Sequence, residues 1–271
     1  MDKRTIREVK HDEKMLATLN EFLTFLKEST NVSVLQCEEA EADDMIARFC
    51  HLHPNDKITI CSVDNDFIQL VNENISLYNG NQKVLITSQG VVDPKTGKYR
   101  QCCVDAHGKL TIKKNNIGTE ELLQPNWQEY ALFCKCIRGD SSDNIFPAYP
   151  RVKAKTSNTK GVRKIGLNEA FEHKSSQDFE WINFMNQTWK DENGEEHKVE
   201  DEYKKNQVLI DFNYIPDHYK NKFDEFIKLE LIKPSKYMLK FGITVFFNRH
   251  HMIRHLDYIN NFIDYLSRSY C

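Results

Sequence analysis

Three short acidic motifs carry the chemistry open to this sequence. They are Glu41-Ala42-Asp43-Asp44, Ser62-Val63-Asp64-Asn65-Asp66-Phe67 and Gly139-Asp140-Ser141-Ser142-Asp143-Asn144. Glu41 and Asp44 are three residues apart, as are Asp140 and Asp143, and a helix puts such pairs on one face. Each motif follows an apolar segment, so the seven carboxylates are expected to converge on one cleft. Gathered there without partners they would repel one another. Divalent cations relieve that repulsion, and oxygen donors without histidine or thiolate favour magnesium or manganese over zinc. Two such ions suit phosphodiester hydrolysis, one lowering the pKa of a bound water and the other stabilising the leaving oxygen. A single D-x-D or E-x-D-D is more often a solvated helix cap, because aspartate favours N-caps and first turns. The argument for a site rests on all three motifs occurring in order.

Positioning these carboxylates requires strands and helices around them. Met15, Leu16, Leu19, Phe22, Leu23 and Leu26 have helical spacing over residues 13–28. Val32 to Gln36 reads as a short buried strand, Ala42 to His51 as a helix, and Lys57 to Val63 as a central β-branched strand. A helix is expected from Asp66 to Val71, then strands at Ser76 to Tyr78 and Val84 to Thr87. The alternation predicts an α/β domain with a mainly parallel sheet flanked by helices, with the acidic motifs beyond the carboxyl ends of the strands. Turn signals at Asp93-Pro94-Lys95-Thr96-Gly97 and His107-Gly108-Lys109 predict a hairpin-rich insertion over 88–118. A helix is expected from Trp127 to Ile137 and another over 179–189, with a polar acidic loop from Asp191 to Asp201. The remainder reads as helical, interrupted at Ile215-Pro216 and Lys233-Pro234.

Composition narrows the class. The 271 residues are 40% hydrophobic, enough for one large domain or one domain with an appendage. A net charge of −3 is not that of a protein that merely coats nucleic acid. No apolar run approaches the ~20 residues of a membrane span, and no signal-peptide pattern is present. A soluble, cytoplasmic protein with no membrane partner is expected. The eight cysteines form no C-x-x-C pair and read as reduced thiols.

Charge is segregated along the chain. Arg151, Lys153, Lys155, Lys160, Arg163 and Lys164 fall within fourteen residues that contain no acid, with Gly161 and Gly166 supplying backbone freedom. Such a stretch is either a solvated loop or a phosphate-contacting one with salt-sensitive affinity, and its place directly after the third motif favours the second. His250, His251 and His255 have nearly metal-like spacing but no obvious carboxylate partner, so a surface or core role is favoured. Trp127, Trp181 and Trp189 read as packing residues. No G-x-x-x-x-G-K-S loop is present, which argues against ATP use.

The motifs EADD, SVDNDF and GDSSDN resemble the downstream acidic motifs of the 5′-nuclease superfamily, the flap endonucleases and 5′-3′ exonucleases. The segment Tyr203 to Pro216 (YKKNQVLIDFNYIP) resembles the ribonuclease H of T-even bacteriophages, a phage-type 5′-nuclease. The resemblance implies a PIN-like catalytic domain over 1–136 and a helical DNA-binding domain over 137–271 containing a helix–three-turn–helix. It implies that Glu41, Asp43 and Asp44 bind or orient two magnesium ions, for which manganese could substitute. Asp64 and Asp66 would be direct ligands, Asp140 and Asp143 would complete the second metal's coordination, partly through water, and Asp43, Asp64 and Asp66 would be catalytic. Gly161 to Gly166 resembles the glycine-bearing DNA-gripping hairpin, which in the family can hold potassium. Arg151 stands where a glycine would be expected, which argues against potassium here.

The activity implied is 5′-3′ exonuclease and flap endonuclease cleavage, with removal of RNA primers from RNA–DNA hybrids, in phage DNA replication and hence in the host cytoplasm. The partners implied are double-stranded DNA with 5′ flaps, RNA–DNA hybrid ends, and a replication single-strand-binding protein or sliding clamp. A family member is also expected to carry an Asp-ending strand well upstream of EADD, whereas forty residues precede Glu41. The catalytic domain is therefore expected to be N-terminally incomplete, with a complementary N-terminal polypeptide as one way to complete it. The alternative is a catalytically incomplete DNA-binding fragment.

Overall fold

A computed structural model describes residues 3–37, 40–117, 123–150, 166–191, 193–231 and 239–266. The chain divides into two compact units, one of residues 1–42 with 220–271 and the other of residues 43–219.

The 43–219 unit is a mixed α/β structure. Helix α2 (Ala42–Leu52) precedes β1 (Ile58–Cys61), which runs parallel to β2 (Ile75–Asn79). A 3-10 helix, Asp66–Leu70, makes the crossover between them. Strands β3 (Val84–Thr87), β4 (Gly90–Val92), β5 (Tyr99–Val104) and β6 (Leu110–Ile117) then follow as an antiparallel meander, and the six strands lie side by side in chain order.

The expected mainly parallel sheet is therefore corrected, since only the first pair is parallel. The connections explain why. A parallel return needs a crossover of a dozen or more residues, and the links after β2 are tight turns. Asp93 fastens the β4–β5 turn through its side chain, which meets Arg100 at 2.7 Å. The 88–118 hairpins extend the main sheet edge to edge. Residues 32–37 form no strand.

Helix α3 (Trp127–Arg138) is the hub of this unit, packing on β5 and the 3-10 helix and on α4 (Leu167–Ser176) and α6 (Val199–Ile210). The expected boundary at 136/137 lies within α3, which packs on elements from both sides of it. Phe133, Cys134, Cys136 and Ile137 are buried with Ala170, Trp181, Phe184, Val199 and Tyr203 in one core. Trp181 belongs to α5 (Phe179–Met185), which ends before residue 189. The expected acidic loop is instead a hairpin of β7 (Thr188–Lys190) and β8 (Glu196–Lys198) that leads into α6. All three tryptophans pack inward, and the indole N–H groups of Trp127 and Trp189 donate to Ser88 O and Ala148 O at 2.9 Å.

The other unit is helical. Helix α1 (Lys3–Ser29) packs Phe22 and Phe25 on Phe246 of α8 (Leu239–Arg249), at centroid distances of 5.3 and 5.2 Å. Helices α9 (Ile253–Leu256) and α10 (Ile259–Leu266) complete this cluster, and α7 (Asp217–Leu231) links the two units along the chain. His250 stacks on Phe246 and lies 3.2 Å from Glu21, while His255 packs against Phe247 and Phe262, so both serve packing. The seven described cysteines are free thiols. No described helix is long and apolar enough to cross a membrane.

Two buried polar contacts tie the later helices to the unit's centre. Asn206 is buried on α6, and its amide donates to Cys136 O (2.8 Å) and Phe146 O (2.7 Å). Asn206→Ala leaves both carbonyls unsatisfied and is expected to cost about 2–3 kcal/mol in denaturant unfolding. A change under about 0.5 kcal/mol would show that water replaces the amide.

At the α4–α5 corner His173 Nδ1 meets Asp178 Oδ2 at 2.7 Å, and Asp178 Oδ1 caps α5 by accepting from Glu180 and Trp181 backbone N–H groups. The hydrogen bond to Asp178 raises the His173 pKa, and the same bond holds Asp178 down at about 2. The histidine's contribution is complete below its ordinary 6.5 and lost as pH rises through the raised value. The aspartate's is present above its ordinary 3.8 and lost as pH falls towards 2. NMR titration should place His173 above 6.5 and return it towards 6.5 in Asp178→Asn. An unmoved titration would dissolve the pair.

Candidate active site

The second and third acidic motifs meet in one cleft of about 190 Å³, whose walls include Asp64, Asp66, Asp140, Asp143 and Lys135. Local backbone chemistry makes each loop. After β1, the Asp64 carboxylate accepts from Asp66 N–H (2.9 Å), turning the chain into the 3-10 helix and bringing both aspartates to the strand's carboxyl end. Gln69 anchors that helix by donating to Ile210 O (3.0 Å) and accepting from Phe212 N–H (3.0 Å).

The third motif is a closed loop. Asp140 and Ile145 exchange backbone hydrogen bonds of 3.1 and 2.8 Å. Gly139 opens the loop at φ +67, and a Cβ there would stand 2.4 Å from Ile145 O. Asn144 also takes a left-handed φ, of 58°. Glycine and asparagine are the residues that tolerate this backbone at low cost.

Lys135, from α3, is the residue that sequence reading missed. Its ammonium contacts the Asp66 carboxylate and lies 3.0 Å from Asp140 Oδ2. Asp140 is buried and also accepts hydrogen bonds from the Ser142 backbone and hydroxyl. Burial opposes ionisation of Asp140, but the bonds from Ser142 and Lys135 prevail and hold its pKa at about 2. Burial pushes Asp66 above the ordinary carboxylate value, and the neighbouring Asp64 and Asp140 charges add to this against the pull of Lys135. Burial also works against the lysine's charge, yet the two carboxylates keep its pKa above the ordinary value. Asp64 and Asp143 are exposed. The cleft thus has an inner pair of aspartates bridged by one lysine, which offsets part of their charge, and an outer pair facing solvent. Lys135 carried no signal in the sequence beyond its place one helical turn before Gly139.

The first motif does not join them. Asp43 and Asp44 lie in the first turn of α2, where the Asp43 carboxylate accepts from Asp44 N–H at 2.9 Å, and neither lines the cleft. Glu41 is exposed ahead of α2. Asp43 and Asp44 stand in the first turn of a helix, where carboxylates are also favoured by the helix dipole. Of the basic stretch, Arg151, Lys153, Lys155, Lys160, Gly161, Arg163 and Lys164 lie outside the described residues. Gly166 is exposed and precedes α4.

The donor set fits a hard cation. Its oxygens are all carboxylate, and magnesium typically takes one or two carboxylates and keeps several waters. Among the described residues no three of the cleft carboxylates bring oxygens within 4.8 Å of one another, so the set suits a hydrated ion. A closer group, Asp191, Glu195 and His197, lies on the β7–β8 hairpin and not in the cleft. There Asp191 accepts from the backbone of Asn193 and Glu195, and His197 Nδ1 faces Glu202 at 3.2 Å.

With this geometry in view, residues 7–97 match the family model of the 5′-3′ exonuclease, N-terminal resolvase-like domain. The match supports a nuclease of the 5′-3′ exonuclease and flap nuclease family. The match also fits a PIN-like fold. The matched span holds Glu41, Asp43, Asp44, Asp64 and Asp66 and ends before Asp140 and Asp143. The chain matches no curated protein.

Lys135→Met removes the cation between buried Asp140 and part-buried Asp66 and is expected to destabilise the chain by roughly 3 kcal/mol. Added magnesium should raise the melting temperature of the variant more than that of the native chain. Equal shifts would mean that Lys135 and the ion do not compete for the same charge.

Proposed function

We propose that the chain is a divalent-metal-dependent 5′-3′ nuclease that cleaves phosphodiester bonds at 5′ flaps and RNA–DNA hybrid ends, including RNA primers during phage DNA replication. The observation that carries the proposal is the meeting of the second and third acidic motifs in one cleft, in a chain whose 7–97 segment matches a 5′-3′ exonuclease domain. Asp64 and Asp143, exposed at the mouth, would hold hydrated magnesium ions, with Asp66 and Asp140 behind them. When bound, such ions supply water activation and charge neutralisation at the scissile phosphate. The chain's own residues set the geometry. The Asp64 turn and the Asp140–Ile145 bridge fix the carboxylates on a strand end and a closed loop. Lys135 offsets the inner charge, so that an anionic substrate meets fewer uncompensated carboxylates. Arg151 to Lys164 would grip duplex backbone by phosphate contacts. Manganese would substitute for magnesium on the same oxygen donors.

A second reading is DNA binding without cleavage. Lys135 favours it, because one lysine already neutralises part of the carboxylate cluster without any metal.

Purified chain with magnesium should release short products from a labelled 5′-flap duplex, and chelator should abolish them. Asp64→Asn and Asp143→Asn should each slow cleavage roughly 10–100-fold with little change in melting temperature. Salt-sensitive binding with no cleavage in magnesium or manganese would decide for the second reading.

A further inference from the structure

We propose that the tip of the β5–β6 hairpin is a phosphate-contact element, with His107 and Lys109 binding the backbone of the nucleic-acid strand that enters the carboxylate cleft. This rests on the nuclease reading and adds to it a named contact surface.

Both residues line the cleft with Asp64, Asp66, Asp140 and Asp143, although they belong to a turn remote in sequence from either acidic motif. The turn is rigid. The Asp105 carboxylate accepts from the backbone N–H groups of His107 (2.8 Å) and Lys109 (3.0 Å). Asp105 N donates to Lys109 O (2.9 Å), and Gly108 N donates to Asp105 O (3.1 Å).

Gly108 seats the tip on α3. It is buried at φ +76, and a Cβ there would stand 2.2 Å from Ala131 O and 3.1 Å from Lys135 N. Only a residue without a side chain allows this approach. The tip is therefore pressed against the backbone of the helix that supplies Lys135. His107 and Lys109 flank the buried glycine, and both are exposed.

Neither side chain makes a hydrogen bond or ion pair among the described residues, although carboxylates share the same cleft. Lys135 is consumed by Asp66 and Asp140. Two donors held on a fixed tip and left unengaged match an anionic ligand, and in an acidic cleft a phosphodiester needs such donors to offset repulsion from the outer carboxylates.

The test measures affinity of the full-length chain for a fluorescent 5′-flap duplex in calcium at increasing salt, and cleavage of the same duplex in magnesium. His107→Ala/Lys109→Ala should weaken binding roughly 5–20-fold and make the slope of log K against log salt shallower by about one. KM should rise by a larger factor than kcat falls, Lys109→Arg should restore most of the affinity, and the melting temperature should hold. Unchanged affinity and salt slope in the double variant, beside normal cleavage by the native chain, would overturn the contact and leave the nuclease reading standing. A fall in kcat with KM and salt slope unchanged would likewise overturn it. A native chain that neither binds nor cleaves the duplex would overturn both.

Discussion

Like charges do not gather without compensation, and the structure of the 43–219 unit is organised around that constraint. Four aspartates are brought to one cleft by two unrelated loops, and the ammonium of Lys135 holds the inner two together. The lysine can do this because α3 is fixed on every side. It packs on the sheet, on the 3-10 helix that carries Asp66, and on α4 and α6. An ion pair in such a setting stabilises only when its groups are well placed, since desolvation otherwise outweighs attraction. The aromatic and aliphatic core around Phe133 and Ile137 supplies that placement. In this sense the hydrophobic packing of α3 and the electrostatics of the cleft are one problem with one solution.

The same constraint separates the aspartates by environment. Asp140 is buried and held ionised by Ser142 and Lys135. Asp66 is pushed the other way by burial and by its acidic neighbours. Asp64 and Asp143 remain exposed and free to exchange water for a ligand. Four residues of one type thus differ in solvation and in partners, and that difference leaves the cleft acidic enough for a hard cation while one lysine offsets part of its charge.

Much of this was legible in the sequence. The apolar strand before Asp64 and the helix before Asp140 announced the cleft, and the turn residues of 88–118 announced hairpins. The direction of the strands was not legible. Alternating strand and helix patterns suggest parallel sheets, and it is the brevity of the turns after β2 that forces the antiparallel course. Asp43 and Asp44 are ambiguous because an acidic pair at a helix start looks the same whether it serves a metal or a helix dipole. Lys135 was overlooked for a different reason. A lone lysine among Cys134, Cys136 and Ile137 acquires meaning only from the helix face it occupies and from Asp66, sixty-nine residues earlier in the chain. His107 and Lys109 read as turn residues, and nothing local reveals the helix on which their glycine rests.

The strand order also bears on how the molecule is made. Because β2 to β6 pair with their immediate neighbours, each can dock as soon as it is synthesised, with little loop entropy to overcome. The cleft is different. The loops that carry its carboxylates are fastened by Gln69 to Ile210 and Phe212, across 141 and 143 residues, and by Asn206 to Cys136 and Phe146, across 70 and 60. A ribosome-bound chain would therefore display a finished sheet well before the carboxylates are locked, and would complete those contacts only after Phe212 emerges.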